Sequence, residues 1–446
     1  MSTQMAAEHG THGGDRGFAK LEFELNDYPG PVKTTLFGIQ HVLVMFTAMV
    51  GGPLIVGRLL NLPEGTRIAM VSGTMIGCGI ATMISSLGLG FIGPRLPIVM
   101  GVFYIFIGPI VSISKGVSLA AAMTALMIGG AVQFAWSPLI GRLQRFFPPI
   151  VTGTTILLIG TGLMKIGINV ASGLNTPGFG KPLTLGLAAL MIVLIVVITR
   201  FATGVVRALS LFLTMVIGYV AAYALGVIDF GSVAKADWVT VPAPFPYGGL
   251  QWPGMIAVIT VVVCFFATAV ETTGHTLAVS RIVGVPQEGW RIRGAVSNDG
   301  LGSAISAIFG GMALTSYSQN IGVISLTGVG SRFVVAFGGA FLILMALVPK
   351  VGAIIALMPN AVLGGVLLFM FGMVASVGID ILGRNLSSRR DAVILAASLA
   401  VGLGIQAAPP GAFDVIDPAL RILVTDGIVM GILLAMLLNI LMPKEQ

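Results

Sequence analysis

Residues 148–170 read PPIVTGTTILLIGTGLMKIGINV, and residues 359–381 read PNAVLGGVLLFMFGMVASVGIDI. Laid side by side without a gap, they share Pro148/Pro359, Val151/Val362, Gly153/Gly364, Leu157/Leu368, Gly167/Gly378 and Ile168/Ile379. Both stretches are apolar and long enough to cross a hydrocarbon core about 30 Å thick. Fourteen apolar spans can be read along the chain, seven within 34–226 and seven within 254–442, and these two stretches belong to the fifth and the twelfth. The repeating unit is therefore seven spans. A unit with an odd number of crossings enters the membrane in opposite senses in its two copies, so the sequence predicts two inverted halves.

Composition agrees with a chain mostly out of water. It is 56% hydrophobic and 9% charged over 446 residues, with a mean hydropathy of +1.00, whereas soluble domains carry about 25% charged residues. The 61 glycines suit close helix packing and broken helices in a bilayer. The net charge of +7 comes from basic residues scattered singly between spans, without the stripe that nucleic acid would require. With the N-terminus placed in the cytoplasm, sixteen of the 24 Lys and Arg residues fall on the cytoplasmic side, which predicts both termini inside. Residues 1–33 read as a polar cytoplasmic tail, and the first span serves as an uncleaved insertion signal. Residues 227–253 connect the halves. Cys78 and Cys264 each lie inside a span, so neither a disulfide framework nor a metal site is expected. No HExxH, GxSxG or Walker A pattern marks an enzyme, and no cofactor is expected.

Ionisable groups inside spans are costly, about 2.5–3.5 kcal/mol at the bilayer centre on insertion scales, and those that persist face a cavity or a partner. Glu271 stands in the eighth span (254–282) between CFFATAV and TTGHTLAV, with His275 one turn further along the same helix face. Such a pair can hold and release a proton, or merely join two helices. Asp299, near the start of the ninth span, is either a second titrating group or a helix-start residue balancing the dipole. His41, after Gln40 in the first span, reads as a helix-packing hydrogen bonder or a proton carrier. Asp426 in the last span is expected to pair across helices or to face a dimer contact.

The third span (97–112) and the tenth (319–331) are the weakest as full helices; each begins in a polar or proline-marked stretch. The tenth opens Ser316-Tyr317-Ser318-Gln319-Asn320 and continues to Thr327 and Gly328. Interrupted spans at matching positions of two repeats point to a solute site near the midplane. Gln and Asn beside the free N–H groups of a half-helix suit a planar, uncharged solute carrying both donors and acceptors.

Gln319, Asn320, Gly322, Thr327 and Gly328 meet every constrained position of the signature of the nucleobase–ascorbate transporters, the nucleobase–cation symporters: Gln, Glu or Pro, then Asn-x-Gly-x-x-x-x-Thr, then Arg, Lys or Gly. The chain resembles that family also in Gln40-His41, in RLPIVMG at 95–101 and in Glu-Thr-Thr-Gly at 271–274. The resemblance covers nearly the whole chain. It implies an all-α polytopic membrane protein of fourteen segments, with a core domain (spans 1–4 and 8–11) beside a gate domain (spans 5–7 and 12–14). Short extended stretches in spans 3 and 10 would meet at the site. It implies a substrate-contacting carboxylate at Glu271, the signature amide at Gln319 with Asn320 beside it, and the backbone of Tyr317 and Ser318 along the base edge. The stacking aromatic falls on Tyr104, where Phe is usual. Proton coupling would involve Glu271, His275, Asp299 and His41, with the proton as coupling ion. A homodimer in the plasma membrane, the inner membrane of a bacterium, is expected. Gln319 and Gly328 resemble the purine branch, which carries xanthine or urate, while His275 resembles the uracil branch. A uracil–proton symporter is thus the main alternative, and an anion exchanger of related fold a more distant one.

Overall fold

A computed structural model of the chain describes residues 21–143, 148–228, 230–317, 319–386, 388–409 and 411–442. Its elements run through one series and then repeat it. The first series is α1 (Pro31–Leu59), α2 (Glu64–Leu87), β1 (Met100–Val102), α3 (Ile107–Gly116), α4 (Leu119–Trp136), α5 (Ile140–Leu143), α6 (Pro149–Ala171), α7 (Pro182–Phe201), α8 (Gly204–Ala208) and α9 (Ser210–Ala224). After a short linking helix α10 (Gly231–Lys235) come α11 (Met255–Ile282), α12 (Gly289–Ile308), β2 (Leu314–Ser316), α13 (Gln319–Thr327), α14 (Arg332–Ala346), α15 (Pro349–Ala356), α16 (Asn360–Asn385), α17 (Arg389–Ala407), α18 (Pro418–Val424) and α19 (Gly427–Leu441). Helix starts repeat as well: Ser118 caps α4 by accepting from the Ala121 N–H, and Ser331 caps its counterpart α14 by accepting from Val334.

The pseudo-two-fold is visible atom by atom at the centre. β1 and β2 pair antiparallel, Gly101 opposite Thr315, with Met100 opposite Ser316 and Val102 opposite Leu314. The Phe103 N–H donates to the Ala313 carbonyl, and in the mirrored position the Tyr317 N–H donates to the Val99 carbonyl, both at 3.0 Å. On the outer edge of β1 the Met100 N–H donates to Thr82 Oγ1 of α2 at 2.9 Å; on that of β2 the Leu314 N–H donates to Ser303 Oγ of α12 at 2.8 Å. Extended backbone at membrane depth is tolerable only where protein satisfies it in this way.

The repeated stretches quoted at the outset prove to be two helices packed on each other. A side chain at Gly153 would meet Leu382, and one at the equivalent Gly364 would meet the backbone of Ala171; Gly167 faces Leu368, and the equivalent Gly378 faces Leu157. The shared residues are thus the ones through which α6 and α16 touch, and the inverted symmetry makes each contact twice. The same logic joins α4 to α12 at Gly130 and Gly300, and α14 to α2 at Gly339 and Gly79.

Packing gathers the helices into two sets. α2 and α12 pack with α14, α4, α1 and α11 in one; α6 and α16 pack with α7, α17 and α19 in the other. Among the described residues, eight helices are long and apolar enough to cross a membrane, or nine if α14 and α15 count as one span bent by 84°. The remaining segments are half-length or split, α3 and α13 following their strands and α8/α9 and α18/α19 broken in two.

Three details differ from the sequence reading. The continuous apolar run read as spans at 333–349 and 351–377 contains the separate helix α15, because Pro349 and Pro359 each start a new helix. Residues 21–33 do more than lead into the membrane. The N–H groups of Glu22 and Phe23 donate to the Gly328 carbonyl, the Gly330 N–H donates to the Phe23 carbonyl, and Leu25 is buried. Asp426 caps α19 by accepting from the Val429 N–H at 3.1 Å rather than pairing with a charge on another helix.

Candidate functional site

The strand pair presents its end to a cavity of about 60 Å³ at the seam between the two helix sets. Ala48 of α1, Val102, Phe103 and Tyr104 after β1, Glu271 of α11, and Thr315, Tyr317 and Gln319 at β2 and the start of α13 form one wall; Ile159 and Leu163 of α6 with Met370, Phe371 and Val374 of α16 form the other. Four residues singled out from the sequence, Tyr104, Glu271, Tyr317 and Gln319, therefore share one enclosed space. Ser318 lies outside the described residues.

Each side chain is held by its neighbours. Glu271 projects from the middle of α11; its Oε1 is 4.0 Å from His275 Nε2, and its buried Oε2 has no hydrogen-bond partner. A buried polar atom left unpaired costs roughly 1–3 kcal/mol, while the rest of the side chain stays partly exposed on the cavity wall. His275 stands behind Glu271 rather than on the cavity wall, with its Nδ1 2.9 Å from Ser316 Oγ and 3.1 Å from the Ser316 carbonyl. Thr272, one turn back, reaches Ser316 Oγ at 3.0 Å, so α11 grips β2 through two side chains. The Tyr104 hydroxyl donates to the Ala48 carbonyl at 2.6 Å, and its ring meets Phe371 edge to face at 5.3 Å between centroids. The Tyr317 hydroxyl donates to the Val102 carbonyl at 3.1 Å. Its ring lies across β1, where a side chain at Gly101 would come within 2.3 Å of it. The Tyr317 N–H is spent on Val99, so it does not offer the free backbone donor expected along a base edge.

Asn320 and His41 form a second layer. Both are buried; Asn320 Oδ1 accepts from His41 Nδ1 at 2.8 Å, and Asn320 Nδ2 donates to the Pro97 carbonyl. The pair ties α1, the approach to β1 and the first turn of α13 together, leaving the neighbouring Gln319 side chain on the cavity with no hydrogen bond to another described residue. Asp299 of α12 is fully buried, and neither carboxylate oxygen is hydrogen-bonded to a described residue. It lies close enough to Glu271 for their charges to interact. Sequence reasoning missed the wall from α6 and α16. Phe371, Met370 and Val374 are apolar residues in an apolar helix, and only the repeat hinted that α16 was special. Among the described residues no cluster of His, Cys, Asp or Glu could hold a metal ion.

Two inverted halves, broken helices meeting end to end and a half-buried carboxylate on a cavity at the seam are the architecture of a membrane permease. The chain belongs to the permease family described by the Xan_ur_permease model, that of the nucleobase–ascorbate transporters, which matches residues 32–411. It is 34% identical over 411 residues to the nucleobase transporter PlUacP of Paenibacillus larvae, covering 92% of this chain and 94% of that one. It is 33% identical to the uric acid transporter UacT of Escherichia coli (94% and 87% covered) and 32% identical to the xanthine permease XanQ of the same species (95% and 94%). Among solved structures it shares its fold with the transmembrane domain of the cyanobacterial bicarbonate transporter BicA, with a TM-score of 0.57 at 16% identity over 94% of this chain and 99% of that one. It also shares the fold of murine Slc26a9 in the inward-facing state, with a TM-score of 0.65 at 12% identity over 94% and 69%. At these identities the likeness concerns the fold alone. The protein is a multi-pass membrane permease.

Proposed function

We propose that this permease imports a purine nucleobase, xanthine or urate, by symport with a proton. The observation that carries the reading is the cavity at the strand pair, where Glu271 and Gln319 line one wall opposite the apolar side chains of α6 and α16. An oxopurine is flat and alternates ring N–H donors with carbonyl acceptors. Glu271 would accept from a ring N–H, Gln319 would pair with an adjacent N–H and carbonyl, and Tyr104 and Phe371 would bound the ring faces. Asn320, held by His41 and Pro97, would fix the direction of α13 and so of Gln319. The relatives named for nucleobase, uric acid and xanthine transport support the substrate class.

The proton is assigned to Glu271, with His275 and Asp299 beside it and His41 as a further member of the network. A charge carried across a bilayer is costly, so protonation here would let the loaded site cross with less net charge. The helix set built on α1–α4 and α11–α14 would act as the core, moving against a gate built on α6–α9 and α16–α19. The cavity at their seam would then open to one side at a time. Both termini would be cytoplasmic, in a plasma-membrane homodimer. Uptake of labelled xanthine, urate and uracil into proteoliposomes, with and without an inward proton gradient, tests this. Gradient-driven accumulation of xanthine or urate is the expected result. Accumulation of uracil alone would mean that His275 outweighs Gln319 and Gly328 as a marker of specificity.

A further inference from the structure

A larger cavity, of about 310 Å³, lies away from the strand pair, where the C-terminal end of α1 meets the α6–α7 connection and the first turns of α7 and α16. Its volume falls at the lower end of the range of small-molecule sites, roughly 300–1,000 Å³. Two helices begin at it, and neither has a side-chain cap: α7 follows Lys181 and α16 follows Pro359. The N–H groups of Leu183, Thr184, Asn360 and Ala361, all on the wall, find no acceptor among the described residues. Helix starts left open in this way favour negative charge.

Side chains point the same way. Arg58, in the last turn of α1, donates from Nη2 to the Met358 carbonyl at 2.8 Å, but its buried Nε has no partner and Nη1 bonds to no described residue. No Asp or Glu lines the cavity to neutralise it. Asn360 is 6% exposed; its Nδ2 donates to the Leu174 carbonyl at 3.2 Å and its Oδ1 has no partner. The wall also holds Thr176 and Thr184, whose hydroxyls donate to the Gly173 and Gly178 carbonyls, and apolar Leu187, Val227 and Leu357. A guanidinium and open helix starts beside apolar faces match a small planar anion.

We infer that this cavity is a second binding site, taking the monoanion of an oxopurine such as urate at the end of the bundle opposite the N-terminus of α1. Its ligand class rests on the transport reading above; its existence does not. Arg58 and the helix starts hold the ligand oxygens, with Asn360 on the wall beside them. The wall joins α1 of one helix set to α7 and α16 of the other, so the site lies at the seam between the sets.

Equilibrium binding of labelled urate to the purified full-length protein tests the inference, with Arg58→Gln, Asn360→Asp and Gln319→Ala as variants and size-exclusion profiles as the check on folding. The wild type is expected to bind two urates per chain and each variant one. Arg58→Gln is also expected to raise the KM for urate uptake about tenfold, the loss of a charge-assisted hydrogen bond. Asn360→Asp serves should Arg58→Gln misfold, since it keeps the shape and sets a carboxylate against the anion. One urate per wild-type chain, retained in Arg58→Gln and Asn360→Asp but lost in Gln319→Ala, would overturn the second site and leave the transport reading standing. One urate lost in the first two variants and retained in Gln319→Ala would support the outer site and sink the central one. No urate bound to any form would overturn both.

Discussion

Alanine at Gly364 and alanine at Gly372, two turns apart on α16, should move stability in opposite directions. A Cβ at Gly364 would lie 2.1 Å from the Ala171 nitrogen and 2.4 Å from its Cα, roughly 1.3 Å short of the 3.4 Å where ordinary contact begins. These are backbone atoms of α6 and cannot swing aside, so the two helices must part along their whole crossing. Overpacking of this kind costs about 1–3 kcal/mol. Gly372 has nothing within 4 Å of its would-be Cβ, and alanine there restricts the helix backbone to advantage, by about 0.5–1 kcal/mol. Together the two effects separate the melting temperatures by roughly 2–4 °C for a chain of this size. Thermal unfolding of the detergent-solubilised variants, followed by fluorescence-detected size exclusion, measures the gap. Gly378→Ala, further along α16 and facing the Leu157 nitrogen at 2.5 Å, should fall with Gly364→Ala. Equal melting temperatures for Gly364→Ala and Gly372→Ala would refute the claim that the repeated glycines are the α6–α16 contact.

Gly101→Ala should abolish uptake while the protein still folds, because its methyl would lie 2.3 Å from the Tyr317 ring carbons at the cavity; uptake above half the wild-type rate would contradict this. Asn320→Asp loses the donor to Pro97 while keeping the acceptor for His41. It should raise the substrate KM about tenfold, the scale of one buried unpaired group, whereas an unchanged KM would remove Asn320 from the positioning of α13. Asp426→Ala should lower stability by about 0.5–2 kcal/mol through loss of the α19 cap, and Asp426→Asn should restore most of it. If both variants melt alike, the cap is not what Asp426 contributes.

Much of the architecture could be read from the sequence because the physics that sets it is local or repeated. The Gly153/Gly364 and Gly167/Gly378 identities survive because inversion brings each glycine against the other helix. Glu271 and the Gln319-Asn320 pair stand out because polar groups in apolar spans are rare. The opposite wall could not be found in this way, since Phe371 facing a cavity and Met373 facing outward are equally apolar to any hydropathy scale. Layering was also hidden. Asn320 and Gln319 are adjacent in sequence, yet one amide is locked to His41 and Pro97 while the other faces the cavity. The strap at 21–25 did leave a signal, the alternation Leu21-Glu22-Phe23-Glu24-Leu25, which is the period of an extended segment with one buried face. Its brevity and charge made it look like tail.

Under the proposed mechanism Glu271, on the cavity at the seam of the two helix sets and beside His275, couples base transport to the proton. Glu271→Gln keeps the shape and removes the titrating group. In proteoliposomes loaded with unlabelled xanthine or urate, this variant should exchange labelled base across the membrane yet fail to accumulate it when an inward proton gradient is imposed, while the wild type does both. Gradient-driven accumulation by Glu271→Gln at the wild-type level would contradict the account.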